Sequence, residues 1–473
     1  MKSLGLVGAG IASSTAITPK VFDLDELAAS GEIRKYPWFV KEIGFKNPTV
    51  EVDWKLLKSY DSNNVYKFTT EETEQMVQNQ LNTMKKGVAN NTPGMTLRDF
   101  AVLEGLRTTM LSVPLTRDEP SFNYTTTAPS KPAGYTRKDL GWPKWELNPE
   151  ENLRTLASAI HLFGGRDISA IEVDEDVKKI FFSNASNKAI RFEDIDAPIE
   201  TASSISIPNK CKWMVVFTIP QSRLSGFSHV TTGKYGVYGG YSDAAVMMTR
   251  IQGFIRAMGW LAVNKGGGTG SQIASNTGFG VVAGNGELGR CDYVLSPKYG
   301  ALIRLTEFFL TDMPLSPTPP IDAGMWRFCQ TCKKCGSMCP SSAISLENEP
   351  TWEPSGPWNG TGRKCYPINY KLCLPWRGMP GHGAEAGTGG CSQCQVACVF
   401  TKLNDSSIHD VIKGTVATTG IFDSFFRTMD DAFGYGKGFT SPINEIFFSP
   451  EQWWNRDLDK FPFKGRVVGD GWE

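Results

Sequence analysis

Four cysteines stand two, two and three residues apart in Cys329-Gln-Thr-Cys332-Lys-Lys-Cys335-Gly-Ser-Met-Cys339, and Pro340 follows directly. Thiolates at this spacing hold iron: three on one tight turn reach three irons of a [4Fe–4S] cube, and the fourth, carried off by the next helical turn, ligates a neighbouring cube. The pattern therefore predicts a second cysteine group that returns a ligand to the first cube. Cys391-Ser-Gln-Cys394-Gln-Val-Ala-Cys398 is that group, matching the last three positions of such a motif. Its missing first ligand must come from upstream, from Cys373 or Cys365. Exchanging ligands by the same rule gives one cube to Cys329, Cys332, Cys335 and Cys398, and the other to Cys339, Cys391, Cys394 and an eighth ligand for which Cys373 is preferred and Cys365 stays open. Two zinc sites leave the Cys-Pro ending and the three-plus-one spacing without a reason.

Eleven cysteines in 473 residues could indicate a disulfide scaffold, but seven fall within 70 residues in CxxC-type groups, which favours cluster ligation. Cys211, Cys291 and Cys365 lie outside the groups and are expected to pack as small buried apolar residues. Lys plus Arg and Asp plus Glu both number 49, so bulk charge favours neither nucleic acid nor an anionic membrane as partner. No stretch reaches 18 consecutive apolar residues, so no membrane span is expected.

The elements that must position these thiols can be followed along the chain. Residues 1–19 read as the apolar, small-residue part of an export signal, without the arginine pair that a complete twin-arginine signal carries. Gly8-Ala-Gly10 imitates a dinucleotide-binding turn, but Ser13 stands where the third glycine belongs. Residues 20–144 form an irregular, aromatic-rich N-terminal unit, some of whose aromatics could wall an apolar pocket. A helix is predicted from Asn148-Pro149 to Gly164, with His161 as a helix-end residue. Strands follow at Ile168–Val173 and Lys212–Ile219, then a long helix from Tyr241 to Met258, and strands alternating with helices argue for a three-layer α/β core. The glycines at 266–268, 284 and 286 could bring backbone N–H groups close to a large flat or phosphate-bearing ligand, although no nucleotide P-loop is present.

In order along the chain, Phe22-Asp-Leu-Asp-Glu-Leu27, Pro37-Trp38, Trp142-Pro-Lys-Trp-Glu146, Gly240-Tyr241, Gly286-Glu-Leu-Gly-Arg290, Pro297-Lys-Tyr-Gly300, Thr311-Asp-Met-Pro314, Pro319-Pro-Ile-Asp-Ala-Gly324, both cysteine groups and Phe433-Gly-Tyr-Gly436 together resemble the corrinoid-dependent reductive dehalogenases. That resemblance implies an α+β/α/β fold: a nitroreductase-like corrinoid-binding core over 145–320, a ferredoxin-like two-[4Fe–4S] unit over 321–402, and a C-terminal extension over 403–473 packing on the core.

It also implies a base-off corrinoid of cobalamin type, which agrees with Ala159 standing where a cobalt-binding D-x-H-x-x-G element would need aspartate. Electrons would pass through both clusters to cobalt, Co(I) would engage a small organohalide (a chlorinated ethene, alkane or aromatic), and a proton would replace the departing halide. The family's proton-donating tyrosine maps to Tyr241, with Tyr238 as the fallback, and its basic residue maps to Arg304. A phenol gives up its proton readily only beside a cation, and an always-charged guanidinium suits that role.

Gly266, Gly267, Gly268, Ser271, Gly284 and Gly286 are the implied corrinoid contacts. The family's loop asparagine falls on Gly267 or Ser271 here, leaving Asn264 or Asn276 as substitutes. The resemblance further implies export by the twin-arginine route to the outer face of the cytoplasmic membrane, peripheral attachment through a small integral membrane anchor protein, an electron donor, and room for a homodimer. A tRNA-directed epoxyqueuosine-reductase-type enzyme with the same cofactors is the first alternative, and neutral charge speaks against it. A dicluster electron-transfer subunit is the second.

Overall fold

The computed structural model describes residues 36–64, 69–96, 144–226, 233–264, 273–377, 391–401, 407–434 and 449–455. The apolar N-terminal run and the loop carrying Gly266, Gly267, Gly268 and Ser271 lie outside them.

Helix α1 (Thr70–Ala89) opens on a capping box in which Thr69 and Glu72 exchange side-chain-to-backbone bonds. Helix α2 (Pro149–Phe163) begins where the Asn-Pro pair predicts: Asn148 Oδ1 accepts the Glu151 N–H at 2.9 Å, and Gly164 leaves the helix at φ +116°. His161 sits in the last turn of α2.

Strands β1 (Arg166–Glu172), β2 (Lys188–Glu193), β3 (Ser204–Pro208) and β4 (Trp213–Pro220) follow, then helix α3 (Lys234–Ala257) and helix α4 (Asn276–Val282). The two-residue strands β5 (Glu287–Leu288) and β6 (Val294–Leu295) form a hairpin ahead of β7 (Ile303–Thr311). The cysteine region carries helices α5 (Met325–Cys332), α6 (Lys334–Ser337), α7 (Tyr370–Arg377) and α8 (Gln393–Ala397), before α9 (Ser407–Thr418) and α10 (Asp423–Ala432).

The central sheet is antiparallel, in the order β7-β4-β1. Strand β4 is buried on both faces, which is why its sequence is a continuous apolar run rather than an alternating one. Val215, Phe217 and Ile219 point to the layer of α2 and α3, with Ile168 and Ala170 of β1. Met214 and Val216 point the other way, toward Phe279 and Val282 of α4 and Ile205 and Ile207 of β3. The three-layer expectation is met, with α2 and α3 on one face and α4 with a small sheet on the other. In that small sheet β2 and β3 pair in parallel.

Helix α3 starts at Lys234, seven residues before the predicted start at Tyr241. Gly236, Gly239 and Gly240 weaken the local helix signal, but tertiary packing overrides it. A Cβ on Gly236 would fall 2.0 Å from Ser225 Oγ, and Tyr235, Val237 and Tyr238 are buried. Tyr241 is therefore a helix-interior residue, not a helix-start one.

The N-terminal segment binds the core and cysteine region together. Lys41–Glu42 pairs with Ile321–Asp322, and Val52 bridges to Arg363. Helices α9 and α10 pack on α5. Arg427 Nε donates to the Cys332 carbonyl at 3.1 Å, Lys334 and Asp430 form a buried ion pair, and Lys413 Nζ reaches back to the Pro297 carbonyl at 3.0 Å. Among the described residues, no helix is long and apolar enough to cross a membrane.

Candidate cofactor and active site

The Gly286-Glu-Leu-Gly-Arg290 stretch is built around α5. Glu287, 1 % exposed, accepts the Ala323 and Met325 N–H groups on Oε2 at 2.9 Å each and the Trp326 N–H on Oε1 at 3.3 Å. Those N–H groups lie at the start of a helix whose own N-cap, Gly324, has no side chain to offer. Burial raises the Glu287 carboxyl pKa against the pull of these N–H groups. Arg290, also 1 % exposed, donates Nε to the Cys329 carbonyl at 2.9 Å, Nη2 to Gln330 at 3.1 Å, and Nη1 to Ser345 and Glu347 at 2.8 and 3.0 Å. Its guanidinium lies 3.6 Å from the Tyr366 ring centre. A Cβ on Gly286 would fall 2.2 Å from the Leu295 carbonyl oxygen, so glycine is required there for the hairpin to close.

The second cysteine group docks on the Pro297-Lys-Tyr-Gly300 loop. Gly300 has φ +60°, and a Cβ there would fall 2.4 Å from the Phe400 carbonyl oxygen. The Ala301 N–H donates to Thr401 Oγ1 at 3.1 Å, and Gln395 Nε2 donates to the Ala301 carbonyl at 2.9 Å. Cys391, Cys394 and Cys398 are thereby set beside the start of β7, three residues before Arg304.

The thiols gather close to one another. Cys339, Cys373, Cys391 and Cys394 line one narrow cavity of about 50 Å³. Burial pushes the Cys329 thiol well above the ordinary range, and the neighbouring Cys398 and Cys332 thiols push it further. Cys335 lies beside Cys329 and Cys394. Cys365 is elsewhere: it is buried, bridged to Thr351 and next to Arg363, and burial pushes its thiol up to about 11. Among the described residues, no three His, Cys, Asp or Glu side chains converge as a single metal ion requires.

Of the other ungrouped cysteines, Cys211 is a core residue behind β4. Cys291 is different: although buried as expected, it packs in the same core cluster as Cys335 and Cys394. Sequence reasoning had no spacing by which to find it. Its position directly after Arg290 was the only available signal.

Tyr241 and Arg304 meet between α3 and β7. Arg304 Nη1 donates to Tyr241 Oη at 3.3 Å, and the guanidinium lies 4.4 Å from the phenol ring centre. Arg304 Nη2 donates to Gln221 Oε1 at 2.9 Å, and Gln221 Nε2 donates to Ser225 Oγ at 2.8 Å. Gln221, fully buried, was not singled out from the sequence. A Cβ on Gly240 would sit 3.4 Å from Arg304 Cβ, an ordinary contact, so the helix backbone passes directly beside the arginine. Arg304 Nε is buried with no partner among the described residues. Tyr238, the fallback, packs edge-on to Tyr241 with ring centres 6.5 Å apart and is 1 % exposed. Arg304 also lines the cavity formed by Cys339, Cys373, Cys391 and Cys394, which brings the tyrosine–arginine pair to that thiol group.

A larger cavity, about 730 Å³, lies between the N-terminal segment, α4 and α7, in the size range of a large ligand pocket. Trp54, Tyr60, Phe182, Trp358 and Tyr370 supply aromatic walls, so two of the N-terminal aromatics do face a pocket. Tyr60 Oη, Asp292 Oδ1 and Arg363 Nε, all on lining residues, are buried without partners among the described residues. Burial, with the charge of Asp61, pushes the Tyr60 hydroxyl up to about 12, which keeps it a hydrogen-bond donor. Tyr370 lines this cavity and the cysteine cavity alike.

Gly284 turns the chain after α4 at φ +87° and accepts the Tyr36 hydroxyl proton at its carbonyl. Neither it nor Gly286 is among the residues that line the larger cavity, and the same holds for Asn264 and Asn276.

A family model described as "Reductive dehalogenase subunit" matches residues 35–205. The chain is 28% identical over 522 residues to a chloroethene reductive dehalogenase of Dehalococcoides mccartyi (strain VS), covering 97% of this chain and 96% of that protein. It is 35% identical over 280 residues to a tetrachloroethene reductive dehalogenase of Sulfurospirillum multivorans, covering 58% of this chain and 52% of that protein. A solved reductive dehalogenase, described in connection with B12-dependent dehalogenation, superposes with a TM-score of 0.58 at 17% identity and 87% coverage. This chain spans about half (52%) of that solved one, and at such identity the likeness speaks for the fold. Taken together, these matches make the chain similar to reductive dehalogenases over nearly its whole length.

Proposed function

We propose that the protein removes halogen from a small organohalide, with a base-off corrinoid and two [4Fe–4S] clusters as resident cofactors. Residues 145–320 would be its nitroreductase-like core and residues 321–402 its ferredoxin-like unit. The observation that carries this reading is Arg304, bonded to Tyr241, at the wall of the cavity formed by Cys339, Cys373, Cys391 and Cys394. It sets a proton source and a fixed cation beside a group of thiols suited to electron delivery.

The residues present fit both cofactors. Cys339, Cys373, Cys391 and Cys394 share a cavity, and Cys329, Cys332, Cys335 and Cys398 are the complementary set, whose spacing suits cube ligands. The larger cavity combines broad aromatic walls with the orphaned atoms of Tyr60, Asp292 and Arg363, which suit a large ring fringed by carboxamides. When bound, the corrinoid supplies a Co(I) reductant for carbon–halogen cleavage, and the clusters supply its electrons.

The chain's own contribution is positional and protic. Tyr241 Oη delivers the proton that replaces halogen, and Arg304 steadies the phenolate left behind. The spare Arg304 Nε–H is a ready donor to departing halide. Gln221, anchored by Ser225, keeps the guanidinium turned toward the phenol. The glycine loop at 266–268 with Ser271 remains the proposed corrinoid contact set, with Gly284 and Gly286 as proposed contacts beyond the lining of the larger cavity. Export to the outer face of the cytoplasmic membrane, attachment through a small membrane anchor, a separate electron donor and a homodimer complete the proposal.

The test is anaerobic purification or reconstitution, with metal analysis for about eight iron atoms and one cobalt per chain. Halide release is then assayed from chlorinated ethenes, alkanes and aromatics. Stoichiometric iron without corrinoid uptake would leave only an electron-transfer subunit and sink the dehalogenase reading.

A further inference from the structure

We propose that segment 46–60 is a strap over the larger cavity, and that an ionic clasp of Lys46, Asp174, Asp176 and Lys179 gates the passage of a large flat ligand into and out of it. The inference rests on the cofactor reading above and adds a route of entry to it.

The strap is one chain thick. Trp54, Leu57 and Tyr60 line the cavity, while Lys55, Leu56 and Ser59 between them are exposed to solvent, Leu56 at 53 %. Ile180, Val281, Val282 and Leu288, which line the same cavity, are buried core residues and have no room to move aside. Apart from the Val52–Arg363 bridge, residues 46–60 form no helix or strand.

The attachments of the strap differ in kind. On one side they are backbone bonds: the Asp53 N–H donates to the Gly362 carbonyl and the Lys364 N–H to the Glu51 carbonyl, both at 3.0 Å. Gly362, at φ +82°, lets Leu57 come so close that a Cβ on the glycine would fall 2.3 Å from Leu57 Cα. Toward residues 174–179 the ties are side-chain charges. Lys46 Nζ pairs with Asp174 and, at 3.2 Å, with Asp176. Lys179 Nζ pairs with Asp176 at 2.9 Å and donates to the Trp54 carbonyl, and Trp54 Nε1 donates to the Lys46 carbonyl at 2.9 Å. The clasp thus holds Trp54 by its backbone and by its ring.

The four charged side chains are between 33 and 44 % exposed, so the pairs are individually weak and screened by salt. A latch needs that property, because it must open without unfolding the core beneath. Packed side chains leave no gap as wide as a macrocycle, so the strap must lift before such a ligand enters or leaves. A latch that is the same before and after binding alters both rates in one ratio and leaves affinity unchanged.

The experiment mixes the corrinoid-free full chain, anaerobically, with cyanocobalamin or dicyanocobinamide, neither of which carries net charge. Uptake, and release on dilution, are followed by absorbance in wild type, Lys46→Gln, Asp176→Asn and the double variant. Uptake and release rates should both rise about fivefold in the double variant, with Kd within about twofold of wild type. Raising salt from about 50 mM to about 500 mM should speed wild-type uptake by a similar factor and leave the double variant unchanged. The salt arm uses the unaltered chain, so it decides the matter even where a variant folds poorly. Salt-independent wild-type uptake with unchanged rates in the variants would overturn the proposal. A change in Kd carried by release alone would also overturn it, by making these residues part of the ligand's binding surface. A wild-type chain that takes up neither corrinoid at any salt would refute the cofactor reading itself, and this route with it.

Discussion

Glu287 and Arg290, three residues apart on one tight hairpin, grip opposite ends of helix α5, which carries Cys329 and Cys332. The carboxylate takes the N–H groups at the start of the helix, and the guanidinium takes the Cys329 and Gln330 carbonyls near its end. A short helix with few internal hydrogen bonds is thereby fixed in position from outside itself.

Arg290→Lys should therefore loosen the first cysteine loop without changing its charge. One ammonium cannot reproduce the fork that serves four carbonyls, and stranded buried acceptors cost about 1–3 kcal/mol each. The expected outcome is a lower apparent Tm and faster iron loss to a chelator than in wild type. Unchanged iron retention would show that the loop is held by its cluster alone.

Tyr241→Phe removes the proposed acid and keeps the ring. Halide release should fall by roughly 10²-fold or more, the usual worth of a positioned proton donor, with iron and cobalt content unchanged. Full activity on the best substrate would reject Tyr241, and Tyr238→Phe would then be the variant to assay.

Arg304→Lys keeps a cation but loses the planar group that bonds Tyr241 and Gln221 together. A fall in kcat of about tenfold or more, with little change in KM, is expected if the arginine acts as charge develops. Gln221→Ala should reproduce part of that loss, because it frees the guanidinium without touching the phenol. Loss in KM alone would make both residues substrate-binding rather than catalytic.

Much of this arrangement could be read from the chain. Helix α2 announces its ends with Asn148-Pro149 and Gly164, β4 with its apolar run, and the cysteine groups with their spacing, because caps, burial and cluster turns impose local residue choices. The early start of α3 was hidden, since its Gly236 is set by contact with Ser225, on the segment that precedes the helix. Gln221 was hidden for the same reason: it is one ordinary residue whose role comes from Arg304, 83 positions away.

Spacing also left Cys365 and Cys373 as rivals for the eighth ligand, and the fold separates them. Cys373 shares a cavity with Cys339, Cys391 and Cys394, whereas Cys365 is held beside Arg363. Cys373→Ser should lower iron from about eight to about four per chain or abolish one EPR signal. Cys365→Ser should leave iron unchanged. The reverse result would move the second cluster's ligand set.

Asp423, the first residue of α10, gives a pH-dependent test of how the C-terminal helices are held. It is buried, 4 % exposed, and Oδ1 has no partner among the described residues. Burial pushes its carboxyl from the ordinary 3.8 up to about 6, against the opposing pull of Arg327. Because the folded pKa lies above the unfolded one, the folded state binds the proton more tightly, and stability falls as pH rises from about 4 to about 6. Above about 6 the cost of the buried charge is fully present. Asp423→Asn removes that charge at similar size, so its Tm advantage over wild type should grow between about pH 4 and pH 6 and then level off, at roughly 2 °C. An advantage that is flat or shrinking across that window would mean that Arg327 and the positive end of α10, rather than burial, govern the carboxylate.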